Sequence, residues 1–288
     1  MGQRYRRQLP FHTSACGGAK LPPSVSDMAH WITAQLGGGV IGGTTQRLFS
    51  EARNREMWSP QTILPVSDPP PALAPLRTNF AAYGLGWGLR EYRGRKYVGH
   101  TGGLPGYVSQ VALIPEMKLG VVVLTNQEAS GILSSITLRI LDRYMGAAEY
   151  DWMKAFAERM EKQKADTAET ERKQAAARPA DSKPALPLEK YAGAYVDAWY
   201  GAIKIALQEG KLVMRFSHTP ALTGDLEHWQ YDTFKVRWRD RSLGADAFVT
   251  FSLNAEGGIQ EATMKPVSPL TDFSHDFQDL TLVPGEKK

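Results

Sequence analysis

The sequence predicts an α+β fold, in which an antiparallel sheet flanked by helices is followed by a small all-β barrel. Three observations predict it. Apolar residues recur at helical spacing in two segments, 24–36 and 130–144. Between them, residues 83–125 break into short strand-like runs. From Leu188 onward the chain is nearly all short alternating runs separated by turn formers such as Glu209-Gly210 and Glu256-Gly257-Gly258. Regular spacing of that kind marks a barrel or sandwich.

Composition narrows the class. A chain of 288 residues is about two domains' worth. Hydrophobic residues at 42% and charged residues at 22% exclude wholesale disorder. No apolar run approaches the length of a membrane-spanning helix. Residues 1–150 hold 15 Lys and Arg against 9 Asp and Glu, and the remainder 19 against 21. The basic residues of the first part (Arg47, Arg53, Arg55, Arg90, Arg93, Arg95) are scattered, without the clustering of a nucleic-acid surface, so no nucleic-acid partner is expected. A single cysteine, Cys16, forbids an intramolecular disulfide and a cysteine-built zinc site. Arg4, Arg6 and Arg7 are followed by no apolar segment, so no secretory signal is visible and the compartment stays open.

The elements follow in order. Ser24 caps a helix, with Asp27 at the capping-box distance. Met28, Trp31, Ile32 and Gln35-Leu36 then recur at helical spacing until Gly37-Gly38-Gly39 stops the run. Ser50 to Trp58 reads as a second, short helix. Pro65, Pro69, Pro70, Pro71 and Pro75 make Leu64 to Leu76 an extended loop. Tyr83-Gly84-Leu85-Gly86-Trp87-Gly88-Leu89 alternates large and small residues and predicts a strand, running to Tyr92, whose glycines admit the close approach of something else. Lys96–His100, Val108–Ile114 and Leu119–Thr125 continue an antiparallel meander, the last two joined at Glu116-Met117-Lys118. Ile132-Leu133, Ile136, Ile140-Leu141 and Tyr144 give the helix Ser130–Tyr144 one apolar face.

Trp152, Met153, Phe156 and Met160 start a docked helix that fades into a charged linker ending in Pro179, Pro184 and Pro187. Seven strands are then expected: Tyr191–Val196, Ala202–Leu207, Lys211–Phe216, Phe234–Trp238, Ala247–Leu253, Ile259–Lys265 and Phe277–Leu282. The organisation is therefore 1–150, a sheet-and-helix domain; 151–187, helix and charged linker; and 188–288, a barrel. Trp31, Trp58 and Trp87 are expected as core anchors. Trp199, Trp229 and Trp238 are expected to fill the barrel interior or line a cavity there. His218 and His228 have no metal-ligand spacing and read as surface or half-buried side chains.

One cluster carries chemistry: Gly99-His100-Thr101-Gly102-Gly103-Leu104-Pro105-Gly106, placed where a strand gives way to a glycine-rich bend. Glycines there permit torsions and close approaches that side chains block. A backbone N–H exposed in such a bend can face a ligand oxygen, as an oxyanion hole requires. Glycine clustering alone leaves a plain hairpin turn equally open.

His100-Thr101-Gly102, after Tyr83-Gly84-Leu85-Gly86-Trp87 and before Leu119-Gly120-Val121-Val122-Val123-Leu124-Thr125-Asn126, resembles the C-terminal part of the serine β-lactamase-like hydrolases. That family includes class C β-lactamases, D-Ala-D-Ala carboxypeptidases and related esterases. Gly17-Gly18 followed by Ser24-Val25-Ser26-Asp27-Met28-Ala29 resembles the stretch before these strands, and His100 stands at the Lys of the family's third motif, Lys-Thr-Gly, a Lys that many esterase and peptidase members replace with His. Residues 188–288, with Asp272-Phe273-Ser274-His275-Asp276-Phe277, resemble the lipocalin-like domain appended to some of these peptidases. The resemblance implies a partial β-lactamase-like sheet plus a lipocalin-like barrel. It implies acyl transfer to water from a small-molecule ester, amide or D-amino-acid peptide substrate by the full-length protein, with no metal or organic cofactor. Thr101 would hydrogen-bond the substrate's carboxylate or leaving group, and His100 would flank the nucleophile. Within the third motif completed by Gly102, the N–H of Gly103 would give one oxyanion donor and the serine's own N–H the other.

The departures are as informative. No Lys has a Ser three residues before it; Thr170-x-x-Lys173 is the nearest approach to the family's Ser-x-x-Lys. Asn54, Asn79, Asn126 and Asn254 follow Ala52, Arg77, Leu124 and Ser252 at the spacing of Tyr-x-Asn, so that motif is missing as well. There is no Gly-x-Ser-x-Gly elbow, and Cys16 with His12 beside it in an irregular segment makes a poor nucleophile. The expectation is a C-terminal fragment, inactive alone, with an unpaired sheet edge, an exposed apolar face and a tendency to self-associate. The alternative is a non-catalytic binding module whose barrel takes an apolar ligand.

Overall fold

The computed structural model describes residues 24–104, 106–127 and 130–285, without the side chains of Ser130 and Phe273. Cys16, His12 and Gly17-Gly18 lie outside the described residues. The chain divides into two units between Glu161 and Lys162.

The first unit opens with α1 (Val25–Leu36), and its start is the expected capping box. Ser24 Oγ accepts from Asp27 N at 3.2 Å, and Asp27 Oδ2 accepts from Ser24 N at 2.9 Å. Two otherwise orphaned donors are satisfied reciprocally, and hydrogen bonds from the Ser24 hydroxyl and then from the Ser24 N–H hold the Asp27 carboxyl below its ordinary pKa. Gly37 closes the helix, its N–H bonded back to Thr33 O. Ser50 caps α2 (Glu51–Met57), which ends at Trp58.

A six-stranded antiparallel sheet follows in strict sequence order: β1 (Thr62–Ile63), β2 (Ala81–Tyr83), β3 (Gly88–Tyr92), β4 (Arg95–Leu104), β5 (Tyr107–Ile114) and β6 (Leu119–Thr125). Three details depart from the sequence reading. The single strand expected over residues 83–92 is a hairpin, β2 and β3, with Gly84 N bonded to Trp87 O at 2.7 Å across its turn. The large–small alternation marked that turn, and its glycines do admit a close neighbour: a Cβ on Gly84 would lie 2.2 Å from Met57 O. The proline-rich loop contains a 3-10 helix, Pro71–Leu76, that buries Leu73. Proline at its first position costs nothing because that N–H has no helical partner anyway. The third departure is β1, two exposed residues too short to give a periodic signal.

Helices cover both faces of the sheet. Ile32 of α1, Trp58, Trp87, Leu89, Val98 and Leu113 form the core on one side. On the other, α3 (Ser130–Met145) and the start of α4 (Trp152–Ala176) pack Leu138, Leu141, Trp152 and Ala155 against Tyr92, Tyr97, Ala112, Ile114 and Val121. Trp58 and Trp87 are core anchors as expected, their rings edge-to-face at 6.4 Å; Trp31 is partly exposed and packs edge-on against Phe49. α3 itself carries a buried carboxylate. Asp142 accepts from Tyr92 Oη (2.5 Å), Arg93 Nε and Nη2 (2.6 and 2.9 Å) and Trp152 Nε1 (2.9 Å).

The charged stretch expected as a linker is helical as far as Ala176. Ala, Glu, Lys, Gln and Arg favour helix intrinsically, and Lys162–Asp166, Arg172–Glu169 and Lys173–Glu169 pair along its surface.

The second unit is a closed eight-stranded antiparallel barrel in the order β10-β11-β12-β13-β14-β7-β8-β9. After the short α5 (Leu188–Tyr191) come β7 (Gly193–Asp197), β8 (Gly201–Gln208), β9 (Lys211–Phe216), β10 (Thr223–Gln230), β11 (Thr233–Trp238), β12 (Ala247–Leu253), β13 (Ile259–Pro266) and β14 (Thr281–Pro284). Six expected strands are present. The sequence missed β10, and Phe277 belongs to a 3-10 turn, Phe277–Asp279, leading into β14. The interior is packed with Tyr191, Phe216, Phe234, Trp238, Phe251, Met214 and Phe277. Of the three tryptophans assigned to the barrel, Trp238 alone is in this core. Trp199 is exposed, and Trp229 is half-buried against Phe248 and under the Arg178 guanidinium.

Candidate functional site

His100, Thr101, Gly102 and Gly103 lie within β4 rather than in a bend. They pair with β5 as His100↔Val111, Thr101↔Gln110, Gly102↔Ser109 and Gly103↔Val108. The chain reverses later, between the paired Leu104 and Tyr107. Gly106 there has φ 85°, whereas Gly99, Gly102 and Gly103 do not adopt a left-handed φ. Close approach accounts for Gly99 and for Gly102, where a Cβ would lie 2.7 Å from Ser109 Oγ, whereas a Cβ on Gly103 would meet nothing within 4 Å. A Cβ on Gly99 would sit 2.6 Å from Tyr97 Cε1, because the Tyr97 ring folds over that position.

That ring is held from below. Gln110 Nε2 donates to Tyr97 Oη at 3.2 Å, and Thr137 Oγ1 of α3 donates to Gln110 Oε1 at 3.2 Å. The Arg90 guanidinium lies 4.5 Å from the Tyr97 ring centroid. This buried polar chain ties α3, β5 and β4 together beneath the motif and removes the freedom that an isolated hairpin would have.

Above it, β4 is open. Pairing with β3 ends at Gly88↔Gly99, so from His100 to Leu104 β4 has β5 on one side and, among the described residues, no strand on the other. These five residues are exposed. Such an edge presents backbone N–H and C=O groups to an extended ligand. Cross-strand partners share a face of the sheet. Thr101 therefore shares its face with Gln110, while His100 and Gly102 share theirs with Val111 and Ser109.

His100 is not free-standing. Its Nε2 is 2.9 Å from Tyr83 Oη, and the two rings meet edge-to-face at 6.0 Å. The sequence singled out both residues without pairing them. Reading residues 83–92 as one strand hid the turn at 84–87 that leaves Tyr83 beside His100. Among the described residues, no group of three or more His, Cys, Asp or Glu is placed to hold a metal ion. No helix there is long and apolar enough to cross a membrane. His218 is exposed, and His228 is half-buried with Nε2 at 2.9 Å from Tyr231 O.

Residues 2–142 match the family model described as Beta-lactamase, and residues 177–284 match a "Domain of unknown function (DUF3471)". The chain is thus similar to the β-lactamase family over residues 2–142, just under half of its length. It is 28% identical over 239 residues to the unguisins hydrolase ungD of Aspergillus violaceofuscus, a match covering 76% of this chain and 41% of that protein. Against the unguisins hydrolase ungD' of Aspergillus campestris the identity is 29% over 194 residues, covering 65% of this chain and 34% of the relative. The chain thus spans well under half the length of these relatives. Among solved structures, the octameric penicillin-binding protein homologue from Pyrococcus abyssi aligns with a TM-score of 0.37 and 18% identity, covering 90% of this chain and 46% of that one.

Proposed function

We propose that residues 1–150 are the later portion of a β-lactamase-like hydrolase domain carrying part of an acyl-transfer site, that 151–187 joins it to the next domain, and that 188–288 is a lipocalin-like accessory barrel. The observation that carries this reading is the His100-Thr101-Gly102 motif on the open edge of β4 in a chain without Ser-x-x-Lys or Tyr-x-Asn. In the complete site, Thr101 hydrogen-bonds the substrate's carboxylate or leaving group and His100 flanks the nucleophilic serine. The N–H of Gly103 and that of the serine share the oxyanion, so charge developing on the carbonyl oxygen meets fixed donors. The substrate is a small ester, amide or D-amino-acid peptide. The relatives' name, unguisins hydrolase, supports hydrolysis as the reaction.

The 288-residue chain alone is inactive on this reading, because no serine is activated by a neighbouring lysine. Purified chain is expected to give no turnover of a chromogenic cephalosporin or a p-nitrophenyl ester above the uncatalysed rate. Rapid turnover that disappears in Thr101→Ala would overturn this. The alternative, a binding module holding an apolar ligand inside the barrel, is weakened by an interior already filled with aromatic rings.

Self-association is part of the same proposal. β6 is seven residues, Leu-Gly-Val-Val-Val-Leu-Thr, with no charge and no proline, and among the described residues it pairs only with β5. An apolar edge without such blunting invites another strand. Sedimentation of the chain is expected to show a mass that rises with concentration. A strictly monomeric sample with uniformly strong amide protection over residues 83–125 would end the idea.

A further inference from the structure

We infer that Tyr83 is a positioning residue of this site: its hydroxyl donates to Nε2 of His100, fixing the imidazole as the Nδ1–H tautomer and turning that N–H towards the ligand. The inference rests on reading His100 as a site residue. It adds a second residue to the site and a defined proton position.

The geometry is a single well-formed contact. Tyr83 Oη and His100 Nε2 are 2.9 Å apart, and the rings stand at 62°. A hydrogen bond of this length fixes which nitrogen is engaged, and the other ring nitrogen is then the one available to a ligand. The direction of the bond follows from acidity. A phenol O–H, with pKa about 10, is a far stronger acid than a neutral imidazole N–H, and an imidazole nitrogen is a far better acceptor than a phenol oxygen. Tyr83 is therefore the donor, Nε2 the acceptor, and the proton of neutral His100 resides on Nδ1.

The surroundings support a built arrangement. Tyr83 is fixed at the end of β2 by pairing with Gly88, and the adjoining turn is clamped by Leu85 N on Met57 O at 3.0 Å. His100 is fixed by its pairing with Val111 and by the Tyr97–Gly99 contact immediately before it. Both backbones are thus set independently, and the hydroxyl meets the ring without either having to move. A donor on Nδ1 beside an open strand edge suits a carbonyl or carboxylate oxygen, the acceptor that an ester, amide or peptide ligand provides. A cationic group would meet an N–H instead of a lone pair and be rejected.

The test is the imidazole nitrogen spectrum of the ¹⁵N-labelled chain, recorded above the imidazole titration and assigned with His100→Gln. Wild type is expected to show Nδ1–H as the major form of His100. In Tyr83→Phe, which keeps the ring and its packing, the ratio is expected to move about fivefold towards Nε2–H, the change that one net hydrogen bond supports. Thermal stability should be nearly unchanged. Wild-type His100 mainly in the Nε2–H form would overturn the inference, and this measurement needs no variant to fold. An unchanged ratio in folded Tyr83→Phe would overturn it as well. Turnover by the isolated chain would sink the inactive half-site reading while leaving this ratio as expected, so the two failures are separable.

Discussion

Asp142→Ala is expected to cost the first unit about 3–5 kcal/mol, the range for breaking one side of a buried, hydrogen-bonded ion pair. Asp142 is 5% exposed and accepts four hydrogen bonds from three residues, two of them from the Arg93 guanidinium. Removing it leaves the indole N–H of fully covered Trp152 and the hydroxyl of Tyr92 without that acceptor, and each orphan carries its own desolvation cost. Burial pushes the Asp142 carboxyl up, but the hydrogen bonds from Arg93, Tyr92 and Trp152 outweigh burial and hold it below its ordinary value. Burial first, then the bond to Asp142, push the Tyr92 hydroxyl well above its own, so it remains a donor across the physiological range. The sign of the pH dependence follows. A carboxyl depressed in the folded state contributes fully above its unfolded pKa, about 3.9, and loses that contribution as pH falls through the folded value. Denaturant midpoints of wild type and Asp142→Ala should therefore differ most near neutrality and converge below about pH 4. A gap that stayed constant from pH 7 to pH 3 would show that the carboxylate's charge is not what stabilises this knot.

Contacts of that kind are what the sequence could not show. Asp142 meets Arg93 across 49 positions, and nothing in either segment marks the other. Local signals were readable. Ser24 with Asp27 gave the start of α1 because a capping box is satisfied within four residues. The later strands of the meander were legible because strands covered on both faces read as short apolar runs bounded by turn formers, as Leu119–Thr125 does. The barrel's missed strand has a specific cause. In β10 the inward positions include Gly224, where a Cβ would fall 2.5 Å from Arg237 O, so close packing there removed the apolar side chain that alternation needs. Leu226 alone could not establish a period. Phe277 misled in the opposite sense. Its 3-10 turn places one ring in the core, and one buried aromatic beside an apolar run looks like a strand end. The motif at 100–103 was readable as residues but not as geometry. Glycines in sequence look the same whether they permit a left-handed turn or make room for a ring such as that of Tyr97.

Trp238→Ala should be the most damaging single change in the barrel, removing about 3–5 kcal/mol. Trp238 is 1% exposed at the end of β11, and its ring stacks on Phe277 at 5.9 Å and meets Phe216 edge-on at 5.9 Å. Its Nε1–H donates to Ala245 O at 2.7 Å, so the substitution both opens a cavity and orphans a buried carbonyl. The backbone cannot easily collapse into the space. Trp238 is paired to Gly224 of β10, in a closed barrel with no free edge to shift. The effect should propagate towards Phe277, whose ring stacks on Trp238 as well as on His275. Losing the Trp238 ring would loosen the approach to β14, the short strand that closes the barrel between β13 and β7. Trp238→Phe keeps an apolar ring but loses the N–H and part of the volume, and should fall between wild type and alanine. The measurement is amide exchange resolved by residue. Protection in β13, β14 and β7 should drop together in Trp238→Ala, while protection in β4 and β5 of the other unit stays at the wild-type level. Equal loss in both units would mean that Trp238 stabilises more than the barrel that contains it.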